Sequence, residues 1–470
     1  MALSPSPQYP YPPWDFTEKE RLDSLPYVTN KLTQLSLPSF AYNTIVKRWP
    51  VIITNLIDTV HQAIDTESNG DADKISEAKA VISRLAKLKY DMSHDRPLER
   101  IPNDGGLNSE VYNARLDELD EAGKSTWMKI PWLFGECYLY RLFDSIFRAT
   151  RHWSTFDPFF KQKEDTFRES GAAVHQLAKI MDDLDGRRDE LSPGTEGWED
   201  KLAIVFAEMV QMCLWGNATD LSMLPSMDPA DVALLQAVGE DKAHLILRND
   251  AGALWTHVRG LKDARLDFVL DNGKHQLFTD FVFADFLVTY TPYASRAVFH
   301  PKPIPWFVSD VTPRDFSSIF VALEDPTFFT TLEKSSMQPD SLSKMVARWQ
   351  AYVKQGVFKL SPESTHAFWV APGGYWEIAP GRDGEEVGKL LDGSGLVIFK
   401  TFLNSYRKLT GDIKWPNDTP WETAIGPVAG RFPLVSLRTC KADVVVGLGP
   451  GVAEKLDADP KEKGWRAGGK

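Results

Sequence analysis

Two runs decide the fold: DFVLDN at residues 267–272 and RAVFHPKPIPWFVSD at 296–310. Both open on residues apolar on both faces, the pattern of a strand buried in a parallel sheet with helices on either side. Similar runs stand at 244–250 (HLILRND), 395–400 (GLVIFK) and 442–448 (ADVVVGL). Several end in Asp, Asn or Lys. In open α/β sheets ligands bind beyond the carboxyl ends of the strands, so polar residues placed there are site candidates.

Before about residue 240 the rhythm is different. SFAYNTIVKRWPVIITNLIDTVHQAI, ISEAKAVISRLAKLKYDM, WMKIPWLFGECYLYRLFDSIF and GAAVHQLAKIMDDLD carry apolar residues at helical intervals. The expected architecture is therefore α/β, with a helical N-terminal domain followed by an α/β/α sandwich around a mainly parallel sheet. The expected boundaries are an N-terminal extension at 1–30, a helical domain at 31–200, a metal-binding catalytic domain at 201–455 and a flexible tail at 456–470. The two ends, PSPQYPYPP and DADPKEKGWRAGGK, have the composition of disordered segments.

The 470 residues are 43% hydrophobic and 25% charged, which suits a globular chain of more than one domain. With 53 basic and 65 acidic residues the net charge is -12, which argues against a nucleic-acid or anionic-membrane surface; the expected partner is a small molecule, anionic or phosphorylated. The cysteines Cys137, Cys213 and Cys440 are odd in number, far apart and without CxxC spacing, so neither a disulfide framework nor a zinc knuckle follows. The first residues, MALSPSPQYPYPPW, show no cationic start and no apolar run, and the expected location is cytoplasmic.

The chemistry concentrates at the strand ends. Asp271 and Asn272 follow FVL, and Asp310 follows WFVS, so two strand ends present two carboxylates and an amide oxygen to one crevice. Such hard oxygen donors suit a divalent ion, and His or Cys that would favour zinc is lacking. A single Asp in this place is as readily a helix cap; the pair lowers that reading. In LWGNATDLS, Asn217 and Asp220 flank a turn and are further catalytic candidates, although an Asx turn is the plainer reading. A basic group, Lys400, Arg407, Lys408, Arg438 and Lys441, offers charge for a phosphoryl group, where a lone cation is ordinarily solvated surface. The glycines of ADVVVGLGPG mimic a dinucleotide fingerprint, but too few residues follow to complete the unit.

These segments, with PWLFGECYLYR, IPWFVSDVTPRDF, YRKLTGDIKW and the Arg438-Thr439-Cys440-Lys441 run, resemble the damage-control phosphatases once called domain of unknown function 89, in the acidic residue methyltransferase-like branch with its RTxK signature. The resemblance spans about residues 38 to 455. It implies hydrolysis of phosphate monoesters such as sugar phosphates, dependent on manganese or nickel, where the oxygen donors alone also suit magnesium, with Asp271, Asn272 and Asp310 as metal ligands. A glutamyl methyltransferase activity has been claimed for the branch; the sequence shows no methyl-donor loop.

Two departures touch the pocket. Where the family reads FKGDLNYRKL, this chain reads FKTFLNSYRKL, so Thr401-Phe402 replaces Gly-Asp and one residue is added before Tyr406. Where the family reads DNxGxEL, Asp271-Asn272 is followed by Gly273, Lys274, His275, Gln276 and Leu277. A lost carboxylate leaves sugar hydroxyls unpaired, at about 1–3 kcal/mol each, unless Asn404 or Ser405 compensates. The expectation is a metal-dependent phosphatase, or phosphate-ester-processing enzyme, of altered specificity, with Lys400, Phe402, Asn404, Arg407, Arg438 and Lys441 facing the substrate. Metal-assisted non-hydrolytic chemistry and a non-catalytic binding protein are the alternatives.

Overall fold

The computed structural model describes residues 44–215, 246–329, 338–401, 403–413, 415–440, 444–462 and 464–467. Four helices open it: α1 (Trp49–Glu67), α2 (Ala72–Ser93), α3 (Ser109–Glu121) and α4 (Trp132–Arg148). Asp71 starts α2 by accepting the Asp73 and Lys74 amides, which would otherwise lack partners. The apolar stripes of these helices close a core of their own around Trp49, Leu85, Tyr112 and Tyr140. Next come α5 (Phe160–Glu169), α6 (Gly171–Gly186) and α7 (Trp198–Trp215), whose apolar faces join a second core shared with the sheet.

The sheet follows as α8 (Ala251–Val258), β1 (Ala264–Val269), α9 (Lys274–Thr289), β2 (Ala294–His300), α10 (Pro313–Glu324), α11 (Pro339–Gln355), β3 (Phe358–Leu360), α12 (Glu385–Leu391), β4 (Leu396–Lys400), α13 (Leu403–Leu409), β5 (Leu434–Leu437) and α14 (Val452–Ala458). Its order is β3-β2-β1-β4-β5 and every pairing is parallel. Alternation sorts the side chains by face. Leu266 and Phe268 of β1 and Leu396 and Ile398 of β4 join the core built with α7 and α9, while Val269, Val397 and Phe399 face Trp369, Tyr375 and Leu391 on the other side. The sequence of α9, KHQLFTDFVFADFLVT, has apolar residues on every face and the helix is almost wholly buried, its Asp280 and Asp285 paired inside with Lys400 and Arg348.

The chain lays down β1, β2 and β3 in one direction, then returns to the far side of β1 for β4 and β5. The order reverses between β1 and β4, and a crevice opens at such a switch point beyond the carboxyl ends of the strands. Among the described residues, no helix is long and apolar enough to cross a membrane.

Two anticipated strands are absent. The described parts of HLILRND and ADVVVGL, residues 246–250 and 444–448, join no sheet. Their polar backbone groups are taken up locally: Gly447 N donates to Thr419 O, Leu448 N to Asn417 O, and the Arg248 guanidinium to Gly447 O. A positive φ of 74° at Gly447 turns the chain away from an extended path. The sheet edges are instead β3 and β5, three and four residues long, too short for periodicity to reveal.

Candidate metal and phosphate site

Asp271 and Asn272 come directly after β1, at the switch point, and Asp310 arrives on the segment after β2. The two stretches form an antiparallel bridge between Asn272 and Asp310, in which Gly273 N donates to Ser309 O at 2.6 Å and Val311 N to Asp271 O at 2.8 Å. The Asp271 and Asp310 side chains are buried, and their carboxyl groups lie within hydrogen-bonding reach of one another. The Asn272 Oδ1 accepts from Ser309 Oγ at 2.7 Å.

Lys302 closes one side. Its ammonium donates to Leu270 O at 2.6 Å and stands 3.1 Å from Asp310 Oδ2. Burial alone would lower this lysine, but Asp310, with Tyr375 and Asp271, holds it above its ordinary range. Burial pushes the Asp310 carboxyl well above the carboxylate range; Lys302 opposes that, and the neighbouring Asp271 adds to it. On the other side Ser405 Oγ donates to Asp271 Oδ1 at 3.1 Å, and the Tyr375 hydroxyl donates to Ser405 Oγ at 3.4 Å. Burial lifts the Tyr375 phenol to about 12. The buried Lys408 donates to Ala371 O at 2.5 Å, lies 5.6 Å over the Tyr375 ring, and is lowered by burial.

The segment bearing Asp310 is held by the helical core. Trp306 and Phe307 pack against Tyr140 of α4, with ring centroids 5.9 and 5.3 Å away. Phe307 and Val308 take φ of 47° and 71°, in the left-handed region that a β-branched residue such as Val308 strongly disfavours. This turn returns the Asp310 amide to Trp306 O at 3.0 Å and sends the carboxylate toward Asp271.

Residues 44–456 match the damage-control phosphatase ARMT1-like domain. The chain belongs to this family. Relatives named damage-control phosphatase ARMT1 are 35% identical in Rattus norvegicus, over 93% of this chain and 96% of theirs, and 32% identical in Homo sapiens, over 94% and 97%. A solved DUF89 family protein from Pyrococcus horikoshii is 12% identical and aligns over 87% of this chain and 94% of that chain, at a TM-score of 0.37.

The family implies a metal, and the residues fit one. The buried Asp310 carboxyl has the Lys302 ammonium 3.1 Å from its Oδ2 and the Asp271 carboxyl beside it, and two neighbouring carboxylates, when both are ionised, favour a further cation between them. Among the described residues no three His, Cys, Asp or Glu side chains gather in one place, and the candidate donors are two carboxylates and one amide oxygen. A hard divalent ion so held keeps positions for water or substrate oxygens.

The other candidates lie apart from one another. Lys400 faces inward, with its ammonium 3.0 Å from Asp280 Oδ1 and 3.1 Å from Cys213 Sγ, and it donates to Cys213 O at 2.5 Å. Burial raises the Asp280 carboxyl and lifts the Cys213 thiol to about 12. Arg407 is buried, paired with Asp412 at 2.7 Å and stacked 4.3 Å from Trp132. Arg438 lies 3.5 Å over the Tyr406 ring, its Nε and Nη2 without hydrogen-bond partners among the described residues, on the wall of a cavity of about 550 Å³ that none of Asp271, Asn272 or Asp310 lines. Asn404 is buried, and its Oδ1 has no partner among the described residues. Asn217, Asp220, Phe402 and Lys441 lie outside the described residues. Sequence reasoning missed Lys302 and Tyr375. Lys302 stands two residues beyond β2 between two prolines, a position that could have flagged it; Tyr375 opens a short 3₁₀ turn, Tyr375–Ile378, and left no signal.

Proposed function

We propose that this chain is a divalent-metal-dependent phosphatase acting on small phosphate monoesters, with a pocket altered from that of its relatives. The observation that carries the reading is the meeting of Asp271, Asn272 and Asp310 beside Lys302 at the sheet's switch point, in a member of a phosphatase family. Asp271, Asn272 and Asp310 would hold the ion, which when bound would supply Lewis-acid stabilisation of phosphoryl oxygens. The chain's own part is electrostatic: Lys302 keeps positive charge fixed next to the carboxylates in a buried setting, where preorganised charge acts most strongly. Ser309 and Ser405 orient the Asn272 and Asp271 side chains.

Thr401-Phe402 in place of Gly-Asp supports poor use of sugar phosphates. The test compares hydrolysis of a hexose phosphate with that of an apolar phosphate ester, in manganese and after chelation. The expected result is turnover that chelation and Asp271→Ala both abolish, with the apolar ester preferred. Full turnover by the chelated protein would remove the metal reading, and equal rates on both esters would remove the specificity reading. Metal bound without turnover of any phosphate ester would favour a binding protein.

A further inference from the structure

We infer that Ser405 and Tyr375 form a hydroxyl chain that positions Asp271 for the metal, an inference that rests on the metal reading above. Ser405 lies on α13, the short helix rising from β4 beside β1, and both its side chain and that of Tyr375 are 1% exposed. A serine has one hydroxyl proton and an ionised carboxylate only accepts, so the direction of the chain is fixed. Ser405 donates to Asp271 Oδ1 at 3.1 Å, and Tyr375 must donate to Ser405 Oγ, at 3.4 Å.

Tyr375 cannot easily turn away. Its ring is wedged between Trp369 and Phe399, with centroids 5.3 and 5.9 Å distant. The Asp271 main chain is pinned separately, its carbonyl accepting Val311 N at 2.8 Å. With Oδ1 engaged by Ser405, rotation of the carboxylate about its last torsion is opposed, and its orientation toward Asp310 is set before a cation arrives. Hydrogen-bond partners of metal ligands orient the ligand, and their loss typically costs about 10–100-fold in metal affinity or activity. The donor stands where this sequence carries one more residue than the family pattern, so the change that alters the pocket also supplies the contact.

The experiment measures Mn²⁺ dissociation constants of the full chain by calorimetry, for the unaltered protein, Ser405→Ala, Ser405→Thr and Tyr375→Phe, together with crystal structures of the metal-free unaltered and Ser405→Ala proteins. Ser405→Ala is expected to weaken Mn²⁺ binding at least about tenfold, Tyr375→Phe to weaken it less, and Ser405→Thr, which keeps the hydroxyl, to stay within about threefold of the unaltered protein. In metal-free crystals the Asp271 carboxylate should hold one orientation in the unaltered protein and turn in Ser405→Ala. Wild-type Mn²⁺ affinity in Ser405→Ala, or Ser405→Thr as damaged as Ser405→Ala, overturns the inference. If the unaltered protein binds no Mn²⁺, the metal reading fails, and the crystal structures still decide the positioning role: an Asp271 that keeps its orientation in Ser405→Ala overturns it.

Discussion

At the scale of single residues, the site is a balance of buried charges, and its neighbours show how strictly burial is enforced. His275, three positions beyond Asn272, is pulled down to about 4 by burial alone, and its Nδ1 has no hydrogen-bond partner among the described residues. Between about pH 6.5 and 4 the unfolded chain therefore binds a proton that the folded chain refuses. A depressed histidine contributes stability above that window and loses it as the pH falls through it. Replacing His275 with Asn should flatten the acid side of the stability curve, closing a gap of on the order of 3 kcal/mol at pH 4, since each pH unit is worth roughly 1.4 kcal/mol. Urea midpoints of both proteins between pH 7 and pH 4 measure this. Parallel curves would mean that the ring gains water as the pH drops. The sequence marked His275 as a departure from the family pattern; it did not disclose that the residue faces protein, because its polar neighbours Lys274, Gln276 and Thr279 suggest a solvated helix start.

The element that decides the site is the turn between β2 and α10, which is built against local preference. Phe307 and Val308 both take positive φ, and a non-glycine residue so held costs of order 1–3 kcal/mol unless its surroundings impose it. Trp306 and Phe307 supply that imposition by packing on α4, and Thr312 closes the far end by capping α10 with Asp315. Val308→Gly should relieve the backbone and leave the protein at least as stable as the unaltered chain, while Val308→Ala keeps the strain and should be less stable than the glycine variant by about 1 kcal/mol. Equal denaturation midpoints for the two would show that the turn is not strained. At this scale the sequence was legible where hydrogen bonding follows composition: the apolar runs of β1, β2 and β4 were read correctly. It was not legible where loops satisfy an apolar run's backbone, as with Val444, Val445 and Val446, which pack against Tyr406, Trp421 and Trp465 instead of entering the sheet.

Across the whole molecule, the site joins two cores. Asp271 belongs to the sheet, whereas Asp310 rides on a segment whose Ile304, Trp306 and Phe307 are part of the helical core of α1 to α4. A second tie lies nearby: the buried ammonium of Lys163 on α5 is 2.5 Å from Asp315 at the start of α10 and 3.0 Å from Asp157. The sequence offered both halves of the proposed site as acids after apolar runs, but not this joining, because Trp306 and Tyr140 lie far apart along the chain. A cation that binds only the native arrangement stabilises it by mass action, by about 2.7 kcal/mol at a hundredfold excess over its dissociation constant. Because the proposed ligands come from both cores, that stabilisation should reach both. Amide exchange with and without Mn²⁺ should therefore show slower exchange at 268–273, at 303–311 and in the α4 residues that face Trp306, and Asp271→Ala should show none of these changes. Protection confined to 268–273 would mean that the helical core does not share in metal binding and serves the Asp310 segment as a static support.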